Sequence, residues 1–240
     1  MKIEKAIMSV DDNLLYSDFW LHVSKVWKQR FDIEPVLIYF GEKDLDDTYG
    51  TVIKIKPLSG FPLYLQTQWA RFWYTTVDPE TIFIVSDIDM FPISHDYFIN
   101  QIKEIDENKY VHLWGDHRPI PVCYHVAKGK QFKKILNLSD SFCDSMHDLN
   151  QFDAKTITTH MGFTKWGIEE AYCTEMIEKT EYKDELVFLP RPEIRRIDRT
   201  DWRYDLNTLK NIDYYIDCHS VRPYEKYKEE IDRIVDTLIQ

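Results

Sequence analysis

The chain has 240 residues, of which 44% are hydrophobic and 15% aromatic, with only 7 glycines. This composition excludes a disordered or fibrous protein and allows one large α/β core. The formal net charge of −11 argues against a nucleic-acid partner, but it permits a small anionic ligand that a metal ion and a few arginines neutralise locally. No apolar stretch approaches the roughly 20 residues of a membrane helix. We therefore expect no membrane span. The four cysteines lack CxxC spacing, so we expect a cytoplasmic protein with reduced thiols.

Strand and helix patterns alternate in the first half of the chain, and this alternation predicts a parallel, doubly wound sheet. The second half is less regular. The predicted strands are 6–10, 36–40, 51–55, 82–85, 110–114, 122–126, 186–189 and 214–216, and the predicted helices are 16–30, 63–75, 98–105, 130–136, 169–179 and 225–239.

The segment from Ile82 to Phe91 is the most informative part of the sequence, because its apolar run stops at Asp87 and Asp89. Such a run is typical of a strand buried on both faces, and ligands bind at the carboxyl ends of such strands in open α/β sheets. Alternate residues of an extended chain point the same way, so the two carboxylates are expected to converge on a divalent metal that holds a phosphate-bearing substrate. The alternative is a plain turn, where aspartate is common.

The motif formed by Asp87 and Asp89, after a hydrophobic strand and a helix that carries Arg71, resembles the DxD motif of the GT-A glycosyltransferase fold. The resemblance implies a Rossmann-like, mixed central sheet flanked by helices in a single α/β domain over residues 1–240. Residues 1–92 would form a nucleotide-binding half, and residues 93–240 an acceptor-binding half with a C-terminal helix.

Residues 217–224 resemble the late histidine segment of glycogenin-like enzymes, although Arg222 stands where those relatives have lysine. By this resemblance Asp87, Asp89 and His219 are the ligands of Mn²⁺ or Mg²⁺, and Arg222 contacts the diphosphate. A histidine packed beside a core strand is the alternative for His219.

Two further segments fit the same resemblance. Residues 166–170, Trp-Gly-Ile-Glu-Glu, resemble the xED element, which would make Glu170 the general base and place Glu169 on acceptor hydroxyls. Two acids in a first helical turn also complement the helix dipole, so that alternative stays open. The residues at the end of the first strand clasp the base and ribose in relatives, and an N-cap is the alternative for one of the two aspartates. The residues expected to bind the nucleotide sugar are Ser9, Val10, Asp11, Asp12, Arg71, Asp87 and Arg222.

The sequence therefore predicts a metal-dependent glycosyltransferase that moves a sugar from a nucleotide sugar, with a UDP-sugar as the expected donor, to a hydroxyl of a glycan or other acceptor. Glu170 favours inversion, whereas the segment around His219 favours retention. A haloacid-dehalogenase-like phosphatase and a non-catalytic sugar-binding module are the alternatives. The basic stretch 191–199 is expected either to border the anionic donor or to form internal ion pairs.

Overall fold

The computed structural model describes residues 1–115, 117–153, 167–191, 196–210 and 214–240. The strands are β1 (Lys5–Asp11), β2 (Glu34–Phe40), β3 (Thr51–Lys54), β4 (Ile82–Val85), β5 (Met90–Pro92), β6 (Tyr110–His112), β7 (His125–Lys128), β8 (Leu186–Phe188), β9 (Arg196–Asp198) and β10 (Asp217–His219). The helices are α1 (Trp20–Phe31), α2 (Leu63–Trp73), α3 (Gly129–Ile135), α4 (Phe142–Gln151), α5 (Ile168–Lys179), α6 (Leu206–Leu209) and α7 (Tyr224–Leu238).

Seven strands form a mixed central sheet in the order β3-β2-β1-β4-β7-β6-β8. Strands β1 to β4 are parallel, as the alternation in the first half predicts, whereas β7 runs antiparallel to both β4 and β6. A second sheet of three short strands has the order β5-β10-β9. The α/β class and the mixed central sheet flanked by helices are therefore confirmed.

Helices cover both faces of the central sheet, which explains why β4 is apolar at every position. Ile82 and Ile84 belong to the core that contains α1 and α7, whereas Phe83 and Val85 belong to the core that contains α2 to α5. Each face of a buried strand needs its own apolar partner layer, so a four-residue run without polar residues marks a central strand. None of the helices in the described ranges is long and apolar enough to cross a membrane.

Several predicted elements are displaced or differ in type. The strand predicted at 122–126 begins only at His125 and ends at Lys128, and upstream of it Ile120 N donates to Thr174 Oγ1 of α5. The helix predicted at 98–105 is a single π-helical turn, Asp96–Asn100, in which Gln101 N bonds to Asp96 O. The strand predicted at 214–216 lies three residues later, and it forms β10.

Four elements were not predicted: β5, β9, α4 and α6. Helix α4 has a recognisable start, since the side chain of Ser141 accepts a hydrogen bond from Asp144 N. The two strands, β5 and β9, are only three residues long, which is too short for an alternation of apolar and polar residues to be recognised.

Candidate functional site

The parallel pairing of β1 with β4 places two predicted binding segments at one edge of the central sheet. Ile7 lies beside Val85, and Ser86 N donates to Ile7 O. The residues that follow these positions, Ser9 to Asp12 on one strand and Asp87 to Asp89 after the other, therefore emerge from the same edge. This is the edge at which open α/β sheets bind ligands.

The small second sheet brings distant parts of the chain to the same place. In its register His219 lies opposite Met90 on β5 and opposite Asp198 on β9. Asp89 precedes Met90 and Arg199 follows Asp198, so both flank the histidine. The backbone extends this pairing, since Ser220 N donates to Asp89 O at 2.9 Å.

One oxygen of Asp89, Oδ2, is the focus of the site. Arg199 Nη1 lies 3.0 Å from it, Arg222 Nε 3.5 Å and His219 Nε2 3.7 Å. Asp89 is only 4% exposed, and burial alone would raise the pKa of its carboxyl. The interaction with His219 and the charges of the two arginines outweigh burial, so the pKa lies below its ordinary value and the carboxylate is ionised.

The carboxylate of Asp87 has a different partner. It accepts a hydrogen bond from Arg71, a residue of α2 that is 5% exposed and also donates to Ser86 O at 3.1 Å. The chain turns between the two aspartates, with Met90 N bonded to Asp87 O, instead of continuing as an extended strand. The extended backbone from which we expected the two carboxylates to converge is therefore absent at this position.

Two of the three predicted metal ligands, Asp89 and His219, lie together. Within the described ranges, no group of three or more His, Cys, Asp or Glu side chains could hold a metal ion. A carboxylate and an imidazole still suit Mn²⁺ or Mg²⁺, because Mg²⁺ is commonly bound through one or two carboxylates while water and substrate phosphates supply the other ligands. The donor set at this edge therefore fits a divalent cation whose coordination a phosphate ligand completes.

Arg222 connects the Asp89 cluster to the loop after β1. Its guanidinium carbon lies 4.5 Å from the centroid of the Tyr16 ring, a cation–π distance. Its Nε lies 3.5 Å from Asp89 Oδ2. The side chain is thus fixed between an aromatic ring and a carboxylate.

The two aspartates at the end of the first strand, Asp11 in β1 and Asp12 directly after it, have different partners. Asp12 accepts hydrogen bonds from the Tyr39 hydroxyl and from Glu42 N, and these contacts hold its pKa below the ordinary value. Gly41 is required beside this pair, because a Cβ there would collide with the Tyr39 ring and with Asp12 Oδ1. Asp12 therefore has a structural partner.

The other three residues of this segment differ in accessibility. Asp11 Oδ1 accepts a local hydrogen bond from Asn13 N at 3.0 Å, its one hydrogen bond among the described residues, and Asp11 is half-buried. Ser9 bonds to Thr67 O, and Val10 is buried. Asp11 is thus the acid of β1 that is better placed to meet a ligand.

Burial distinguishes the two acids at the start of α5. Gly167 precedes the helix with a φ of 87°, a conformation that favours glycine. Glu169 is 3% exposed, its Oε2 has no hydrogen-bond partner among the described residues, and burial raises the pKa of the carboxyl to about 7. Glu170 is half-buried and accepts a hydrogen bond from Val122 N, and burial together with the charge of Asp87 raises its pKa.

The chain matches no protein-family model and no curated protein. Solved structures do resemble it. The glycosyltransferase GlyE of Streptococcus pneumoniae TIGR4 superposes with a TM-score of 0.55 at 12% identity over 100% of this chain, and an active-site mutant of LgtC with 0.54 at 10% identity over 98%. The bifunctional glycosyltransferase WbbM gives 0.53 at 9% identity over 99%. The chain has the GT-A glycosyltransferase fold. It spans 61% of the GlyE chain, 49% of the WbbM chain and 96% of the LgtC chain.

Within this GT-A fold, three arginines of the basic stretch 191–199 lie in the described ranges, and their partners differ. Arg191 and Arg196 form internal ion pairs with Asp217, which is 0% exposed and also accepts from the Tyr124 hydroxyl at 2.8 Å. Arg199 instead forms an ion pair with Asp89, with 3.0 Å between Nη1 and Oδ2. The internal ion pairs that the sequence allowed are therefore formed by Arg191 and Arg196, and a place for the stretch beside an anionic donor stays a prediction.

Sequence reasoning did not place Arg199, Asp198 and Tyr16 in the cluster around Asp89. The high local density of arginine was the available signal for Arg199, whereas nothing in the sequence pairs Tyr16 with Arg222. Trp166, which is part of the predicted xED element, lies outside the described residues. The roles predicted for Glu169, Glu170 and the end of β1 stay predictions.

Proposed function

We propose that this chain is a metal-dependent glycosyltransferase that transfers a sugar from a nucleotide sugar, expected to be a UDP-sugar, to a hydroxyl of a glycan or similar acceptor. The observation that carries the proposal is the convergence of two guanidiniums and an imidazole on one buried carboxylate oxygen at the strand-end edge of a GT-A fold. In a chain with a net charge of −11, such a cationic cluster suits an anionic ligand. Superposition on proteins named as glycosyltransferases supports the same class of reaction.

Asp89 and His219 would hold the divalent cation, and Asp87 would join them only if it left Arg71. When bound, the cation supplies charge stabilisation for a departing nucleoside diphosphate. Arg222 offers a planar fork of N–H donors that suits phosphate, and Tyr16 keeps that fork in place. Asp11, with the backbone around Ser9 and Val10, would receive the base and ribose.

Glu170 is the proposed general base. Its raised pKa lies closer to neutral pH than that of an ordinary carboxyl, which favours proton abstraction from an acceptor hydroxyl. In an inverting reaction the acceptor oxygen would bond to the sugar's anomeric carbon, the bond to the diphosphate would break, and Glu170 would take the hydroxyl proton. A retaining enzyme would not need this base. Loss of activity in Glu170→Gln would therefore favour inversion, and retained activity would favour retention.

The predicted division of labour assigns residues 1–92 to the donor and residues 93–240 to the acceptor. Strand β5, at the end of the first half, pairs with β10 from the second, so both halves would contribute to the proposed donor site. The four free cysteines suit a reducing compartment, and we propose a cytoplasmic location.

The direct test is UDP release from UDP-glucose, UDP-galactose and UDP-N-acetylglucosamine in the presence of Mn²⁺, with and without EDTA. We expect release with at least one donor, its loss in EDTA, and a decrease of about 100-fold in Asp89→Asn, equivalent to about 3 kcal/mol of transition-state stabilisation. Asp201→Asn is the matched control, because Asp201 is exposed and pairs only with Arg203 among the described ion pairs.

Three results would contradict the proposal. Activity that persists in EDTA would refute the metal role, and full activity in Asp89→Asn would refute the site. Hydrolysis of p-nitrophenyl phosphate without UDP release would indicate the phosphatase instead.

A further inference from the structure

Arg199 forms the shortest ion pair of the Asp89 cluster. Its Nη1 lies 3.0 Å from Asp89 Oδ2, the oxygen that also faces His219. The aspartate side chain is 6% exposed and the arginine side chain 32% exposed, so the pair is partly shielded from water. A guanidinium therefore contacts the same carboxylate oxygen that lies nearest His219, the partner of Asp89 in the proposed metal site.

The backbone holds Arg199 in this position. The residue follows β9, and Asp198 Oδ1 accepts hydrogen bonds from Thr200 N at 2.9 Å and from its hydroxyl at 2.6 Å. Asp201 N also bonds to Asp198 O at 3.0 Å, which closes the turn around the arginine. Arg199 thus projects from a fixed turn whose start is aligned with His219.

We propose that Arg199 neutralises Asp89 in place of the divalent cation, so that the Arg199–Asp89 ion pair and metal binding exclude one another. This inference rests on the proposed metal site. A metal ion that binds Asp89 must break the ion pair, and it is then repelled by the nearby guanidinium of Arg199. Both effects weaken the affinity of the site for the metal ion. Because coupling between two sites is reciprocal, removal of the guanidinium strengthens metal binding by the same factor by which the ion pair opposes it.

The test is a titration of the metal-free chain with Mn²⁺ alone, in which the free ion is followed by electron paramagnetic resonance. We expect Arg199→Gln to bind Mn²⁺ roughly three- to tenfold more tightly than the natural chain, the range expected for loss of one partly shielded ion pair. Arg203→Gln is the matched control, since it removes an arginine four residues away whose side chain is 87% exposed. Its affinity should equal that of the natural chain.

A second measurement shows whether the ion takes over the role of the arginine. In EDTA, Arg199→Gln should melt at a lower temperature than the natural chain, because Asp89 loses a partner. In saturating Mn²⁺ this difference should shrink or vanish.

Equal or weaker Mn²⁺ binding by Arg199→Gln would overturn the inference and leave the proposed metal site intact. The same tightening in Arg203→Gln would also overturn it, because it would show a general effect of charge. No Mn²⁺ binding by the natural chain or by Arg199→Gln would refute the metal site itself, and the inference with it.

Discussion

The buried carboxyl of Glu169 should make the stability of the protein depend on pH in an unusual direction. This side chain is 3% exposed, and burial raises the pKa of its carboxyl from 4.5 to about 7. Between these two values the folded chain keeps a proton that the unfolded chain has released. Stability should therefore be greatest at low pH within this window and should fall as the pH rises toward 7.

The expected size of the effect follows from the two pKa values. Each pKa unit corresponds to 1.36 kcal/mol, so this one group should cost about 2.5 kcal/mol of unfolding free energy between pH 5 and pH 8. Glu169→Gln cannot lose a proton, so its stability relative to the natural chain should improve by that amount across the same interval.

The assay is urea unfolding at several pH values from 5 to 8, in EDTA so that bound metal does not contribute. Glu178→Gln is the control, because Glu178 lies on the same helix with a side chain that is 56% exposed and pairs only with Arg118 among the described ion pairs. It should leave the pH dependence unchanged. If Glu169→Gln and the natural chain show parallel stability curves, the carboxyl is ionised in the folded state and the reasoning is wrong.

Three other substitutions test the packing around the site. Asp217→Asn should lower the free energy of unfolding by about 3–5 kcal/mol in urea titrations, because two arginines lose a buried counter-charge. The control Asp201→Asn, at an exposed position, should change it by less than about 0.5 kcal/mol. Similar losses in the two variants would refute the buried network. Tyr16→Leu should weaken UDP binding, measured by calorimetry, by roughly five- to thirtyfold, because Arg222 loses its aromatic support. Tyr16→Phe keeps an aromatic ring and should retain the affinity for UDP. Equal weakening by both substitutions would argue against the cation–π contact. Gly41→Ala should lower the melting temperature through a clash that costs about 1–3 kcal/mol, and an unchanged value would show that the loop can shift.

The central sheet could be predicted because its strands carry their own signal. Apolar runs such as 82–85 are buried on both faces, and the alternation of strands and helices in the first half predicts the parallel direction of its strands. The direction of β7 could not be predicted in this way. A short apolar run has the same composition whether its neighbour is parallel or antiparallel.

The candidate site could be predicted only in part. Asp89 and His219 come together as expected, but the partner of Asp87 is a buried arginine, and a turn replaces the expected extended segment. Arg199 escaped assignment because its position depends on the register of strands three residues long. Such strands are too short for side-chain alternation to indicate which residues lie opposite each other.

The small sheet also has a consequence for how the protein folds. The contact between Asp89 and Arg199 spans 110 positions in the sequence, and the pairing of β5 with β10 is similarly non-local. Contacts of this kind require closure of a long loop, so they should form late and slow the overall rate. Strands β1 to β3 pair with partners that are closer in the sequence, whereas ligand-binding competence should appear only when β10 has docked.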